Sequence, residues 1–188
     1  MLGNNGPMEP NHNPAHADAA SAWVIRFAPL IRPGGPTLDL ACGAGRHTRL
    51  LQALGHPVTA VDRDAAALGA LAALPGVETI VADLEGDQPW PLGSRRFAGI
   101  VVTNYLHRPL FPAILGALEP EGVLIYETFA TGNERFGRPR KPDHLLRSGE
   151  LLEIVRGACE VIAYEFLELA EPRPAVVQRL CARNLGNS

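Results

Sequence analysis

The chain reads as an α/β protein: a doubly wound, mostly parallel sheet of seven strands with helices packed between them. Three observations predict this. From Thr37 to Val155, short apolar runs alternate with stretches that are apolar at helical spacing, the pattern of strands joined by crossover helices. The run Thr37-Leu38-Asp39-Leu40-Ala41-Cys42-Gly43-Ala44-Gly45-Arg46-His47 passes from a buried strand through a glycine turn into a helix start. Such a turn brings backbone N–H groups and a helix N-terminus up to a ligand. Lastly, Val161–Leu167 and Val176–Ala182 are separated by the Pro-containing turn Glu171-Pro172-Arg173-Pro174 with no helix between them, so they pair antiparallel.

Each element follows in order. Residues 1–16 are rich in Asn, Pro and Gly without periodicity and read as a disordered tail, leaving 17–188 as one domain. Trp23, Phe27 and Leu30 space an amphipathic helix from Ala17 to Ile31, ended by Pro33-Gly34-Gly35. After the first strand, Arg46–Leu54 carries Leu50, Leu51 and Leu54 on one face, with Gly55 placed as a left-handed C-cap. The second strand, Val58–Val61, ends at Asp62, and Asp64 caps a helix bearing Leu68, Leu71 and Leu74. Val77–Val81 is the third strand and Gly99–Thr103 the fourth. Phe111, Ile114, Leu115 and Leu118 mark a helix stopped by Pro120-Glu121-Gly122, and Val123–Thr128 is the fifth strand. Ser148 is placed to cap a helix carrying Leu151, Leu152 and Val155.

Size and composition narrow the function classes. At 188 residues the chain is long enough for a full core without staples. A net charge of −3 gives no global pull toward nucleic acid or a membrane surface. Three widely spaced cysteines with no C-x-x-C pair argue for a reducing compartment and against a disulfide framework or metal site. No apolar run approaches membrane-spanning length, and the N-terminus lacks signal-peptide regions, so the expected location is the cytoplasm.

The glycine turn selects a ligand. Asp62, about 20 positions beyond it, is placed to accept from ribose hydroxyls, which implies a nucleoside-containing ligand. A dinucleotide fingerprint requires a third glycine, but Thr48 stands at that place. Asp39 would also meet a pyrophosphate as like charge, whereas a cationic ligand suits its carboxylate.

The run Leu38–Arg46 resembles the first motif of class I S-adenosylmethionine-dependent methyltransferases. Val61-Asp62-Arg63-Asp64 resembles their second motif and Val81-Ala82-Asp83-Leu84 their third. The likeness runs from about Ala20 to Arg183. Within the family, Arg46 after the last glycine is similar to small single-domain members of the tellurite-resistance type. The resemblance implies a Rossmann-like sheet of order 3-2-1-4-5-7-6 and S-adenosylmethionine as cofactor. It also implies a cofactor site of Asp39, Ala41, Gly43, Gly45, Arg46, Asp62, Arg63, Asp83, Leu84 and Asn104. Asp62 would hold the ribose and Asp83 the adenine amino group, with Leu84 lending its N–H. Arg46 is read either as a ligand of the cofactor carboxylate or as an exposed first-turn arginine. Ala41 replaces the first glycine of the common pattern, which is tolerated if position 41 keeps an ordinary backbone conformation. Cys42 reads as a small residue presenting backbone, not as a nucleophile.

Methyl transfer from a sulfonium chiefly requires alignment of nucleophile, methyl carbon and sulfur. A base is required only if the nucleophile starts protonated. At the end of the fourth strand, Asn104 and Tyr105 are the candidates to line the transfer point. His107 reads as a base or as a capping or packing residue. The signature of adenine and glutamine N-methylation is absent, since Tyr105 follows Asn104 directly. The long segment Glu127–Pro142 holds Arg135, Arg138, Arg140 and Lys141 with Phe129 and Phe136. It reads as a substrate loop or lid over the methyl donor, with Glu127, Arg138 and Arg140 as binding residues, or as a solvated basic connection. The expected activity is methylation of a small molecule. Methylation of RNA or protein, nicotinamide-dependent oxidoreduction and non-catalytic cofactor binding are the alternatives; no membrane partner is expected and nucleic acid is disfavoured.

Overall fold

The computed structural model describes residues 19–86, 88–171 and 173–186, so the expected tail at 1–16 lies outside the described residues. The strands are β1 (Thr37–Leu40), β2 (Val58–Asp62), β3 (Val77–Val81), β4 (Phe97–Thr103), β5 (Leu118–Phe129), β6 (Cys159–Leu169) and β7 (Ala175–Asn184). They form one seven-stranded sheet of order β3-β2-β1-β4-β5-β7-β6, as the motifs implied. β3, β2, β1, β4 and β5 are mutually parallel, and β7 runs antiparallel between β5 and β6. The order reverses between β1 and β4, which opens a crevice at their carboxyl ends.

Five short helices cover the sheet: α1 (Ala22–Phe27), α2 (Arg46–Ala53), α3 (Ala65–Gly69), α4 (Phe111–Gly116) and α5 (Glu150–Val155). On one face, α1 and the segment to Ile31 pack Trp23, Val24, Phe27 and Ile31 against Val101, Val123, Ile125 and Cys181. On the other, α4 and α5 pack Phe111, Ile114, Leu151 and Val155 against Ile100, Val102, Leu124 and Tyr126. β1 and β4 are buried on both faces, which is why they read as unbroken apolar runs.

Several boundaries differ from the expectation, each for a physical reason. α1 starts at Ala22 rather than Ala17 because the Ser21 side chain accepts from Trp23 N–H and caps it. Leu54 is exposed: α2 ends at Ala53, and Gly55 turns the chain away with φ +86°. α4 ends at Gly116, and Leu118 already pairs with Phe97 in the sheet. Pro120-Glu121-Gly122 therefore forms an irregularity inside β5, with Glu121 at φ +63°, before pairing resumes at Gly99–Val123. α5 is entered through Gly149 in the left-handed conformation, not through a Ser148 cap. Among the described residues no helix is long and apolar enough to cross a membrane.

Candidate active site

The glycine turn is braced from below. Asp39, only 1% exposed, accepts from Thr48 Oγ1 at 2.6 Å. A third glycine would remove that hydroxyl, so Thr48 at this position follows from the buried acid. Burial raises the Asp39 carboxyl to about 6 against the opposing pull of the Thr48 bonds. Asp62 closes the turn from the side, its Oδ2 accepting from Gly43 N–H at 2.7 Å and its Oδ1 from Asp64 N–H at 2.9 Å. Cys42 N–H reaches Val61 O at 3.1 Å and Gly45 N–H reaches Cys42 O at 3.0 Å. These three N–H groups are therefore committed within the protein, a correction to the expectation that the turn presents them bare. A side chain at Gly45 (φ +78°) would meet Leu71 Cδ1 at 2.4 Å, so the position is closed to any other residue without repacking.

Ala41 overturns the expectation of an ordinary backbone. Its φ is +54°, left-handed, at a position half-buried on the cleft wall. Asn104 has the same φ at the end of β4. Both residues line the cleft; asparagine enters this region readily, so the backbone strain falls on Ala41, of the kind that gathers at functional sites.

A cleft of about 280 Å³ opens here, lined by Ala41, Asp62, Arg63, Ala82, Asp83, Leu84, Glu85, Asn104 and Tyr105. Asp83 caps its own loop by accepting from Glu85 N–H at 3.0 Å. Tyr105 contributes a buried hydroxyl without a hydrogen-bond partner among the described residues. Burial, followed by the charges of Glu85 and Asp83, holds that phenol well above its usual range, so it stays protonated.

The structure thus brings Ala41, Asp62, Arg63, Asp83, Leu84, Asn104 and Tyr105 together and leaves other expected residues outside the cleft lining. Asp39 is beneath it. Arg46 donates to Ala19 O at 3.4 Å, holding the segment before α1. Cys42 is buried, and desolvation with Asp39 and Asp62 nearby pushes its thiol far up, in keeping with a backbone-presenting role. His107 precedes a 3₁₀ turn, its carbonyl accepting from Leu110 N–H. Glu127 Oε2 lies 2.6 Å from Arg179 Nε, a largely buried ion pair on the α1 side of the sheet. The 131–141 segment is not among the residues that line this cleft. Arg138 and Arg140 stand exposed in that segment.

Sequence reasoning gave no role to two residues. His47 is 1% exposed; its Nε2 accepts from Ser21 N–H at 3.0 Å, so its ring proton is on Nδ1 and is donated to Thr103 Oγ1 at 3.2 Å. Burial, aided by the Arg46 charge, lowers it to about 3 and keeps it neutral. Arg108 is the other: its guanidinium meets Glu150 at 2.6 and 3.0 Å. Among the described residues no cluster of three or more His, Cys, Asp or Glu forms a metal-ligating group.

Comparison with known proteins agrees with this geometry. Residues 37–122 match a family model described as a methyltransferase domain. Over 97 residues the chain is 37% identical to trans-aconitate 2-methyltransferase of Rhizobium meliloti (strain 1021), covering 49% of this chain and 37% of that protein. The chain therefore spans little more than a third of that curated relative's length. TehB from Haemophilus influenzae superposes with a TM-score of 0.72 at 20% identity, over 88% of this chain and 62% of TehB. A TehB-like SAM-dependent methyltransferase from Corynebacterium glutamicum gives 0.64 at 23% identity, over 92% of both chains. At these identities the two structures speak for the fold. Residues 37–122 thus match a methyltransferase domain, and the three motifs in order and the observed strand order resemble those of class I S-adenosylmethionine-dependent methyltransferases.

Proposed function

We propose that the protein transfers a methyl group from S-adenosylmethionine to a small anionic acceptor, as a cytoplasmic enzyme. The observation that carries this reading is the cleft at the β1/β4 switch, with Asp62, Asp83 and Glu85 on its wall and the orphaned Tyr105 hydroxyl among them. That donor set fits an adenosyl group, which offers two hydroxyls and an exocyclic amine to carboxylate oxygens and ring nitrogens to a hydroxyl or N–H donor. It does not suit a pyrophosphate, which would meet three carboxylates as like charge against the single cation of Arg63. The bound cofactor supplies the activated methyl group.

The chain's own residues then bind and orient. Asp62 accepts from the ribose while bracing Gly43, so one carboxylate links cofactor and turn. Asp83 and the Leu84 N–H hold the adenine edge. Asp39, ionised above about pH 6, lends a negative field to the cofactor's ammonium from beneath the turn. Tyr105, being protonated, acts as a donor and not as a base. His107 stands outside the cleft lining, and a carboxylate acceptor is already ionised at neutral pH, so the reaction runs without a general base. Arg138, Arg140 and Lys141 offer cations for the acceptor. The relative named for trans-aconitate, a polycarboxylate, supports an acceptor of this class. The three cysteines are all free and buried, which suits a reducing compartment.

The test has two steps. Titration calorimetry should give saturable binding of S-adenosylmethionine and none of NADH; the reverse would overturn the cofactor. Methyl-labelled S-adenosylmethionine is then offered with a panel of mono-, di- and tricarboxylates and, separately, an RNA fraction. Label in a carboxylate is expected, and label in RNA alone would overturn the acceptor class.

A further inference from the structure

We propose that Arg108 is a positioning residue: it locks the connection between β5 and α5, residues 130–149, as a preformed platform tied to the segment that follows Asn104 and Tyr105. This rests on the methyltransferase reading above and specifies how acceptor and cofactor are kept in register. The connection contains only two single 3₁₀ turns, Asn133–Arg135 and Pro142–His144, so most of its backbone must find partners outside regular structure. It finds them on polar side chains that the fold buries for the purpose.

Asn133, 2% exposed, donates from Nδ2 to Pro139 O at 3.2 Å and accepts at Oδ1 from Val176 N–H at 3.2 Å. Gln178, 0% exposed, donates to Arg147 O at 2.6 Å and is itself oriented by the Tyr164 hydroxyl at 3.1 Å. Glu150, 3% exposed, accepts from Arg147 N–H at 2.7 Å. The segment Leu145–Leu146 also runs beside the end of β5: Leu146 N–H reaches Phe129 O at 3.0 Å and Thr131 N–H reaches Leu146 O at 2.9 Å. Buried polar groups held this way are costly to expose one at a time. A segment meant to open and close would not be fastened so.

Arg108 joins this platform to the site. It lies four residues after Asn104, on the segment whose Tyr105 carbonyl is pinned by the Tyr126 hydroxyl at 2.8 Å. Its Nε and Nη2 grip the two Glu150 oxygens, while Nη1 reaches Asp143 O at 2.8 Å and Nη2 reaches Leu145 O at 2.9 Å. One rigid guanidinium thus serves a carboxylate and two main-chain carbonyls, a pattern that an ammonium cannot reproduce. Arg135 is tied to Glu168, whereas Arg138, Arg140 and Lys141 have no carboxylate partner among the described residues. The platform therefore holds free cations in a fixed place relative to Tyr105.

Removing Arg108 alone would strand the buried Glu150 charge and could unfold the region. The variant Arg108→Met/Glu150→Gln avoids this and keeps an oxygen for Arg147 N–H. Amide hydrogen exchange without ligand should show Thr131 and Leu146 protected in the wild type and at least tenfold faster in the double variant, with β1 and β2 unchanged. Calorimetric affinity for S-adenosylmethionine should stay within about twofold and the thermal midpoint within a few degrees. kcat/KM with the carboxylate found in the panel above should nevertheless fall at least tenfold. Unprotected loop amides in the wild type, or a double variant as protected as the wild type, would overturn the proposal. So would a loss of turnover that merely follows the thermal midpoint. If no carboxylate is methylated by the wild type, the acceptor reading fails, and the exchange experiment still decides the role of Arg108.

Discussion

The cleft and the loop carry opposite charge and are built by opposite means. In the cleft, Asp62 and Asp83 each fold back on their own chain, accepting from the N–H two residues later, and the turn is braced by residues within about 25 positions of one another. In the loop, the cations stand on backbone held by partners far away in sequence: Val176 bonds Asn133 across 43 residues, and Arg108 bonds Glu150 across 42. A local device leaves a local signature, while a device assembled across the sheet leaves none. The comparison also separates two kinds of variant. Changes in the cleft should act on cofactor affinity, and changes in the loop on the acceptor alone.

The largest effect is expected at Asp62. Asp62→Ala removes the proposed acceptor for two ribose hydroxyls and releases Gly43 N–H, with each charge-assisted bond worth about 1.5–3 kcal/mol. Calorimetry should register at least a hundredfold weaker binding of S-adenosylmethionine, with Asp62→Asn in between. Full affinity in a folded Asp62→Ala protein would detach this residue from the cofactor.

That same residue marks how much was legible. The glycine run and the acids at 62 and 83 pointed to most of the cleft, and the helixless C-terminal pair to an antiparallel ending, because each is a short-range pattern. The strand order came from the family resemblance those motifs carry. The double role of Asp62 was not legible, since it depends on Oδ2 meeting Gly43 N–H. Nor was the ordinary-looking Ala41, whose left-handed φ is a consequence of the whole turn. The basic run 135–141 was visible as composition, but its separation from the cleft lining follows from Arg108, Asn133 and Gln178, which read in sequence as unremarkable polar residues.

The next effect sharpens the comparison at the buried base of the cleft. Asp39 is raised from 3.8 to about 6 and His47 lowered from 6.5 to about 3, both by burial. For Asp39 the folded protein binds the extra proton between pH 6 and 4, so acidification through that window favours folding. For His47 the unfolded chain binds it, so stability present above pH 6.5 is lost as pH falls. In the wild type the two slopes oppose one another and nearly cancel. Asp39→Asn should uncover the His47 loss, steepening the fall in stability by about 1.4 kcal/mol per pH unit between pH 6 and 4. Denaturant titrations across that range would measure it, and parallel profiles for variant and wild type would contradict the assignment.

On the loop side, Arg138→Gln/Arg140→Gln should lower kcat/KM for the carboxylate acceptor by about tenfold or more, with S-adenosylmethionine affinity unchanged. Cofactor affinity that collapses while acceptor kinetics stay normal would reverse the division of labour between loop and cleft. No change in either would leave the segment as a solvated connection.

The smallest effect is expected at Ala41, where strain and chain entropy compete. A non-glycine residue in the left-handed region carries about 1–2 kcal/mol of steric cost, which Ala41→Gly removes. Glycine also frees the unfolded chain, which returns about 0.4–1 kcal/mol in the opposite direction. The balance is a net stabilisation of up to about 1.6 kcal/mol, read as a small rise in the denaturation midpoint. Ala41 lines the cleft with a methyl group alone, so the variant should keep its affinity for S-adenosylmethionine within a few-fold. A clear loss of stability would mean that the alanine conformation is imposed at no cost, and that strain at position 41 is not a property of the site.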